Sequence, residues 1–329
     1  MTEKLIEWEK ATQAINAAQS ILIVTHISPD GDAIGSALGL ANALKQMGKT
    51  VTVADDDGVP DFLKFLPHAD TVVQYLKKGS WDVMISTDAS DDERTGEVGI
   101  YGRAHSKTVI NLDHHVTNTY FGDIYLVVPS AVSATEIVFD WWETIGIDWN
   151  HDIAMPLLTG LVTDTLGFRI SSVTARTLEV AQSLMRYGGS LAEAMARTLE
   201  SKSWKEVALW KQVLPSAVLR GQIVEAVITP DDIAAVGLTE MGDAGLVSFL
   251  RKVDEAVIAV VFKQHSEREV IVSLRSKQGY DVAEVALALG GGGHAQASGA
   301  TIFGTLDDAR AKVLPLLEAA AEKGKPEIA

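Results

Sequence analysis

The chain of 329 residues contains no cysteine, and this absence excludes several kinds of chemistry. Disulfides, thiolate metal sites and a cysteine nucleophile cannot occur. Any bound metal must therefore be held by histidine, aspartate or glutamate side chains. Aromatic residues are also sparse, at 6% of the chain, which argues against an extended stacking groove for single-stranded nucleic acid.

Positively charged residues are fewer than negatively charged ones. The chain has 28 lysines and arginines against 44 aspartates and glutamates, and its formal net charge is -16. Binding to long nucleic acid rests on many cationic contacts to phosphate, so we expect no such partner. A short anionic ligand held by a few cations is compatible with this composition. The apolar run near the amino terminus is too short and wrongly flanked for a signal peptide or a membrane span, so we expect a cytoplasmic protein without membrane association.

The hydrophobic pattern predicts an α/β protein with two domains. In the first half, short β-rich runs alternate with segments of helical period, which predicts a mainly parallel sheet flanked by helices. From Ser133 the pattern becomes helical, and strands return at about residue 215 in a smaller α+β domain. We predict a first domain at 1–190, a helical connector at 191–214 and a second domain at 215–329. The predicted strands of the first domain are 21–25, 50–54, 82–88, 107–113 and 123–128.

Acids and histidines follow three of these predicted strands. The first strand leads into the stretch HISPDGDAIGS at 26–36, the 82–88 strand ends on Asp88, and the 107–113 strand ends in an Asp-His-His triplet. In open α/β sheets, ligands bind beyond the carboxyl ends of the strands, so these segments should converge on one crevice. The residues concerned are His26, Asp30, Asp32, Asp88, Asp113, His114 and His115.

A further acid, Asp164, lies among leucine, valine and glycine residues, where a carboxylate requires a cation. Taken alone, the HxxxDxD segment is more often a capped turn than a set of metal ligands, and Asp88 could simply cap a helix. Their conjunction favours a metal site. Two histidines and four aspartates suit two divalent cations, Mn²⁺ or Mg²⁺, with Asp88 as the bridging ligand. The predicted ligands are His26, Asp30, Asp32, Asp88, His114 and Asp164.

Together with the glycine-rich stretch GGGGHAQASG at 290–299, these motifs resemble the DHH phosphoesterases with a carboxyl-terminal DHHA1 domain. Within that family, the chain is most similar to the nanoRNase and pAp phosphatase group. The resemblance implies that His26, Asp30 and Asp88 bind one metal. It assigns the second metal to Asp32, Asp88, His114 and Asp164. It also implies that Asp113 orients these ligands and that His115 faces the substrate phosphate as a catalytic residue.

The second domain offers candidates for binding a phosphate. The glycine run lacks the lysine and serine or threonine of a Walker loop, but its small residues let backbone amides approach a phosphate closely. A flexible connection is the alternative explanation for the run, a surface arginine is the alternative for Arg275, and a structural salt bridge is the alternative for Arg169. The predicted substrate-binding residues are Arg169, Arg275, Gly292, Gly293, His294 and Ser298.

These features predict a metal-dependent hydrolase of short oligoribonucleotides, of 3'-phosphoadenosine 5'-phosphate (pAp), or of both. Hydrolysis of cyclic di-AMP or pApA is an alternative that the sequence does not separate from this one. Inorganic pyrophosphatase and an inactive nucleotide-binding regulator are less favoured. Trp141 and Trp142 are predicted to lie in the core. A homodimer is compatible with the sequence, and the apolar helix at 133–146 is a candidate interface.

Overall fold

The computed structural model describes residues 6–239 and 241–324, except for the side chain of His294. The chain divides into two compact units, 1–201 and 202–329. The predicted connector contains two helices, one in each unit. No helix in the described part of the chain is both long enough and apolar enough to cross a membrane.

The first unit is built on a five-stranded sheet in which every pair of neighbouring strands is parallel, in the order β2-β1-β3-β4-β5. This confirms the predicted parallel sheet. Both faces are covered: along β1, Ile21 and Ile23 join one apolar cluster, while Leu22 and Val24 join another. Such two-sided burial explains the continuous apolar runs in the sequence. The strands are β1 (Ser20–Val24), β2 (Thr50–Ala54), β3 (Trp81–Thr87), β4 (Ser106–Asp113) and β5 (Ile124–Val127).

Seven α-helices accompany this sheet in the described residues of the first unit, and most begin at a side-chain cap. Asp30, Ser133 and Asn150, for example, each accept a hydrogen bond from a backbone amide in the first turn of the helix that follows. The helices are α1 (Trp8–Ala17), α2 (Gly31–Gln46), α3 (Gly96–Ala104), α4 (Ala134–Ile145), α5 (His151–Asp164), α6 (Ala175–Arg186) and α7 (Leu191–Thr198).

A stripe of three glycines on α2 brings it into close contact with α5. A Cβ atom at Gly31 would lie 2.3 Å from the hydroxyl oxygen of Thr163, and one at Gly35 would lie 2.5 Å from the carbonyl oxygen of Pro156. Gly39, one turn further along, also packs on α5. Gly35 contacts the backbone of α5, whereas Gly31 and Gly39 contact its side chains, so close packing at these positions sets the separation of the two helices.

The helix that was a candidate dimer interface packs inside the first unit. Trp141 and Trp142 on α4 are fully buried, which confirms their assignment to the core, and Ile137, Val138 and Phe139 are buried with them. The exposed residues of α4, Glu143 and Thr144, are polar. The prediction that 133–146 supplies an apolar interface was therefore wrong, because its apolar face is already covered by the core of its own unit.

The second unit contains a six-stranded sheet in the order β10-β11-β9-β8-β7-β6, in which only β7 and β8 are parallel. This mixed sheet confirms the predicted α+β class. Its strands are β6 (Val218–Arg220), β7 (Ile223–Ile228), β8 (Ile258–Ser266), β9 (Glu269–Ser276), β10 (Gly292–His294) and β11 (Ala297–Phe303). Its helices are α8 (Trp204–Val213), α9 (Pro230–Ala235), α10 (Leu246–Leu250), α11 (Ala283–Ala288) and α12 (Leu306–Lys323).

Candidate metal centre

The carboxyl-terminal edge of the parallel sheet gathers acids and histidines from three neighbouring strands. His26 follows β1, Asp88 directly follows β3, and His114 and His115 directly follow β4. The backbone amide of Asp88 donates to the carbonyl oxygen of Leu112 at 2.9 Å, which ties the ends of β3 and β4 together. Segments far apart in the chain are thus held at one edge.

Two further acids are fixed by helix amino termini. Asp30 caps α2 and accepts hydrogen bonds from the amides of Asp32 and Ala33 at 3.0 and 3.1 Å. The carboxylate of Asp32 lies at the start of α4, where it accepts from the amides of Ala134 at 2.6 Å and Thr135 at 3.0 Å. Backbone amides at a helix start favour negative charge, so both carboxylates are oriented before any ligand arrives.

One potential metal-binding group consists of His26, Asp30 and Asp88, whose ligand atoms all lie within 4.8 Å of one another. His26 Nε2 lies 3.6 Å from Asp88 Oδ2 and 4.0 Å from Asp30 Oδ1. The other ring nitrogen, Nδ1, lies 2.9 Å from the carbonyl oxygen of Ile27. A proton on Nδ1 that is donated to this carbonyl leaves the lone pair of Nε2 directed at the two carboxylates.

A second group consists of Asp32, His114 and Asp164. His114 Nε2 lies 3.6 Å from Asp164 Oδ2, 3.9 Å from Asp32 Oδ2 and 3.4 Å from Asp88 Oδ1. Asp88 therefore directs one oxygen at His26 and the other at His114. This is the arrangement that a carboxylate shared by two cations requires.

The donor set fits divalent cations. The separations of 3.4–4.0 Å exceed ordinary hydrogen bonds and approach the spacing of about 3–3.5 Å between two ligands that each lie about 2.1 Å from one ion. Asp88 is 3% exposed, and its Oδ1 atom has no hydrogen-bond partner among the described residues. A buried carboxylate oxygen without a donor is stabilised when a cation occupies the space beside it.

Burial and crowding shift the proton affinities of this cluster. Burial, reinforced by the charge of Asp88, raises the pKa of Asp32 well above its usual range, and burial raises the pKa of Asp164 to about 7. Burial lowers the pKa of both histidines, but contact with Asp88 outweighs it and raises the pKa of His26 to about 9 and that of His114 to about 10. Burial opposes ionisation of Asp88, yet the two imidazoles hold its pKa far below its usual value. Without a metal, protons supply the positive charge that the carboxylates need.

His115 lies beside the cluster, and its ring contacts the carboxylate of Asp113. Its Nδ1 atom lies 2.7 Å from Asp113 Oδ1 and 3.6 Å from Asp88 Oδ1. Asp113 is fully buried, and its second oxygen accepts a hydrogen bond from Asn118 Nδ2 at 2.6 Å. Burial lowers the pKa of His115, but the carboxylate of Asp113 outweighs it and raises that pKa. Asp88, His114 and His115 form a third potential metal-binding group, so geometry alone allows His115 to act as a ligand.

Several site loops adopt left-handed backbone conformations that side chains rarely occupy. Asp88 has a φ of 58° and Ser28 a φ of 57°. After Asp164 the chain continues through Leu166, Gly167 and Phe168 with φ values of 50°, 71° and 64°. Such conformations carry strain in residues other than glycine and cluster at functional sites. The exposed Leu166 lies in this strained turn.

Two arginines near these loops differ in their contacts. Arg169 is exposed, and its Nε donates to the carbonyl oxygen of Leu166, so its described contact lies within the loop after Asp164. Arg94, which sequence reasoning missed, places Nη2 at 3.3 Å from His26 Nδ1. Asn118, the partner of Asp113, was also missed. Both belong to turns without hydrophobic periodicity, and the only sequence signal was their nearness to Asp88 and Asp113.

The glycine-rich segment of the second unit is a strand hairpin, not only a loop. In β10, Gly293 pairs with Ser298 and His294 with Ala297, and Ala297 pairs in turn with Arg275 on β9. Arg275 is partly buried; burial lowers its pKa, with a smaller opposing effect from Asp243. The backbones of Arg275 and His294 thus belong to one row across the sheet. The side chain of His294 lies outside the described part of the structure.

The glycines of this hairpin are not equivalent. A Cβ at Gly291 would lie 2.1 Å from the carbonyl oxygen of Gly299, and one at Gly293 would lie 2.5 Å from that of Ala297. A Cβ at Gly292 would meet no atom within 4 Å. Packing therefore requires glycine at 291 and 293, whereas the space beside Gly292 is open.

Comparison with known proteins agrees with this geometry. The N-terminal domain of the DHH family matches residues 20–161, and the DHHA1 domain matches residues 233–323. A bifunctional oligoribonuclease and PAP phosphatase, NrnA, from Thermus thermophilus is 37% identical over 316 residues, which cover 93% of each chain. The crystal structure of an exopolyphosphatase-related protein from Bacteroides fragilis superimposes with a TM-score of 0.88 at 26% identity, covering 97% of this chain and 98% of its own.

A more distant relative shares only part of the chain. A probable manganese-dependent inorganic pyrophosphatase from Streptococcus agalactiae is 27% identical over 181 residues. This match covers 51% of the present chain and 56% of the pyrophosphatase.

Proposed function

Because the chain belongs to the DHH family and carries a DHHA1 domain, we propose that it is a metal-dependent phosphoesterase that hydrolyses short oligoribonucleotides and pAp. The relative from Thermus thermophilus, which matches over 93% of each chain, is named for these two activities. The observation that carries the chemical part of the proposal is the placement of Asp88, with one oxygen towards His26 and the other towards His114.

Two cations would be held by the residues of the metal centre. His26, Asp30 and Asp88 would bind one, and Asp32, Asp88, His114 and Asp164 the other. Manganese is favoured by the oxygen and nitrogen donors and by the manganese-dependent relative. When bound, such a pair of cations activates a water for attack on phosphorus and neutralises charge on the phosphate oxygens.

The protein's own residues would orient the reacting groups. The hydrogen bonds from Ala134 and Thr135 hold the carboxylate of Asp32 in one orientation. Asp113, which accepts a hydrogen bond from Asn118, contacts the ring of His115 beside the centre, and in our proposal His115 would donate a proton to the leaving oxygen.

The second unit would bind a substrate phosphate. The open space beside Gly292 lets a phosphate approach the backbone, and the guanidinium of Arg275 offers paired donors for phosphate oxygens. We assign Gly293, His294 and Ser298 to the same role because they belong to the same hairpin, and we retain Arg169 as a candidate contact. The net charge of -16 favours a short substrate over long nucleic acid. A cytoplasmic location and a homodimer stay predictions.

The test is a substrate panel with purified protein and Mn²⁺ or Mg²⁺. We expect hydrolysis of pAp and of RNA of two to about five nucleotides. Cyclic di-AMP, pApA and pyrophosphate are the competing substrates, and pyrophosphate is included because of the partial match to a pyrophosphatase. Faster hydrolysis of any competitor would replace the proposed substrate.

Asp88→Ala should abolish activity, with a rate reduction of at least about a thousandfold, because it removes the ligand shared by both cations. Asp82→Asn is the matched control, since Asp82 lies near the start of β3, at the end of the strand opposite to Asp88, where it accepts from Ser20 and Lys107. Activity that survives Asp88→Ala, or that persists after removal of metal by a chelator, would contradict a shared-ligand mechanism.

A further inference from the structure

Arg94 lies beside the metal centre on a turn that is locked to the loop after β1. Its backbone amide donates to Asp91 Oδ1 at 2.9 Å, and its carbonyl oxygen accepts from the amide of Ile27 at 2.8 Å. Ile27 directly follows His26. The backbone of Arg94 is therefore fixed relative to a metal-ligand candidate.

The side chain of Arg94 contacts the ring of His26. This contact would not be a hydrogen bond when His26 binds a metal. Nη2 of Arg94 lies 3.3 Å from His26 Nδ1. If Nε2 of His26 binds a cation, Nδ1 carries the proton and donates it to the carbonyl oxygen of Ile27 at 2.9 Å. A protonated Nδ1 cannot accept from Arg94, so the guanidinium packs against the ring and has no other side-chain hydrogen bond among the described residues.

Arg94 also has no acidic partner within 4.0 Å among the residues that the structure describes. By contrast, Arg103, nine residues further along, forms an ion pair with Asp92 at 3.4 Å. In a chain with 44 acidic residues, an exposed arginine beside a cluster of aspartates but paired with none of them is available for an anion brought by a ligand.

We propose that Arg94 contacts the substrate and donates paired hydrogen bonds to oxygens of the phosphate held at the metal centre. The planar guanidinium suits two oxygens of one phosphate, a geometry that lysine cannot reproduce. This inference rests on the proposed function in requiring a phosphoester substrate. It adds a cation from the first unit to those assigned in the second.

The test compares Arg94→Ala and Arg94→Lys with Arg186→Ala. Arg186 is an exposed arginine of the same unit that likewise has no carboxylate within 4.0 Å in the described part of the chain. With pAp as substrate, Arg94→Ala should raise KM about tenfold or more, since a hydrogen bond to a charged group is lost. Arg94→Lys should recover only part of the loss, and Arg186→Ala should match the wild type.

Two binding measurements separate substrate contact from support of His26. Calorimetric titration of Mn²⁺ should give the same affinity for wild type and Arg94→Ala. Inorganic phosphate, titrated into the Mn²⁺-loaded proteins, should bind at least about tenfold more weakly to the variant. Weaker Mn²⁺ binding with unchanged phosphate affinity would overturn the proposal and make Arg94 a support for His26. The phosphate titration needs no turnover, so it tests Arg94 even if pAp and RNA prove not to be substrates.

Discussion

His115 is the residue whose role the geometry leaves most open, because it can serve either the substrate or a cation. Its Nδ1 atom is closer to Asp113 Oδ1, at 2.7 Å, than to Asp88 Oδ1, at 3.6 Å. We expect His115→Ala to lower kcat about a hundredfold or more, as the loss of a positioned acid does, and to leave Mn²⁺ affinity unchanged.

Steady-state kinetics and calorimetric titration of Mn²⁺ on the same preparation check this expectation. His114→Ala is the matched comparison, since His114 faces three carboxylates and its loss should weaken Mn²⁺ binding. If His115→Ala weakens Mn²⁺ binding to the same extent as His114→Ala, then His115 is a metal ligand.

The acids and histidines could be predicted from the sequence because residues that bind ligands in a parallel sheet follow the carboxyl ends of its strands. Asp88 and His114 each directly follow a strand, and a strand boundary is visible as the end of an apolar run. Arg94 and Asn118 were not predicted because they belong to turns. Turns have no periodicity, and their side chains find partners through the tertiary fold.

At the scale of the element, the strands and helices with strong periodicity were predicted closely, whereas those that depend on pairing were missed. The predicted segment 50–54 matches β2, and the predicted segment 107–113 lies within β4 (Ser106–Asp113). The three-residue strand β10 contains two glycines and exists through its pairing with β11. Neither strand was predicted, since a glycine run carries no alternation of apolar and polar residues.

Helix α3 shows a second reason for a missed element. Its sequence, GEVGIYGRA, contains three glycines, which individually disfavour a helix by up to about 1 kcal/mol each. A Cβ at Gly102 would lie 2.5 Å from Leu22 Cδ2, so the helix packs tightly on β1. Tertiary packing therefore stabilises a helix that propensity alone argues against.

The β10–β11 hairpin offers a matched pair of substitutions that separate packing from binding. Gly292→Ala adds a methyl group in open space, so stability should change by less than about 0.5 kcal/mol while phosphate binding weakens. Gly291→Ala forces a methyl group to within 2.1 Å of the Gly299 carbonyl oxygen and should destabilise the second unit by about 1–3 kcal/mol.

Thermal melting and phosphate titration of both variants check this prediction. Wild-type phosphate affinity in Gly292→Ala would show that the backbone beside residue 292 does not contact phosphate. Equal melting temperatures for Gly291→Ala and the wild type would show that the hairpin accommodates the added methyl group without loss of stability.

At the scale of the whole molecule, the metal-free protein should lose stability as the pH rises. The pKa of His26 is raised to about 9 and that of His114 to about 10, from an ordinary value of 6.5. A group with a raised pKa stabilises the folded state below its unfolded pKa and loses that contribution as pH rises through the folded value. Asp164, raised from 3.8 to about 7, acts in the same direction at lower pH. The pKa of Asp88 is lowered, so its effect is confined to pH below 3.8.

Melting curves in the presence of a chelator should therefore show a lower transition temperature at pH 9 than at pH 6.5, by at least about 3 °C. Excess Mn²⁺ should remove or reverse this trend, because metal binding needs the histidines deprotonated. The double variant His26→Gln, His114→Gln serves as the control and should show a shallower dependence. A flat profile for the metal-free wild type would contradict the raised histidine pKa values.

The glycine stripe on α2 bears on which ions the protein accepts. Gly31 packs on the Thr163 side chain immediately before Asp32 and Asp164, and Gly35 packs on the backbone of Pro156, so close packing of α2 on α5 limits the spacing of these two carboxylates. Side chains can repack around a larger ion, but two helices already in backbone contact cannot be moved together or apart without cost across their whole length. The centre should therefore select by ionic radius. It should favour ions with ligand distances of about 2.0–2.2 Å over Ca²⁺, whose ligands lie at about 2.3–2.6 Å.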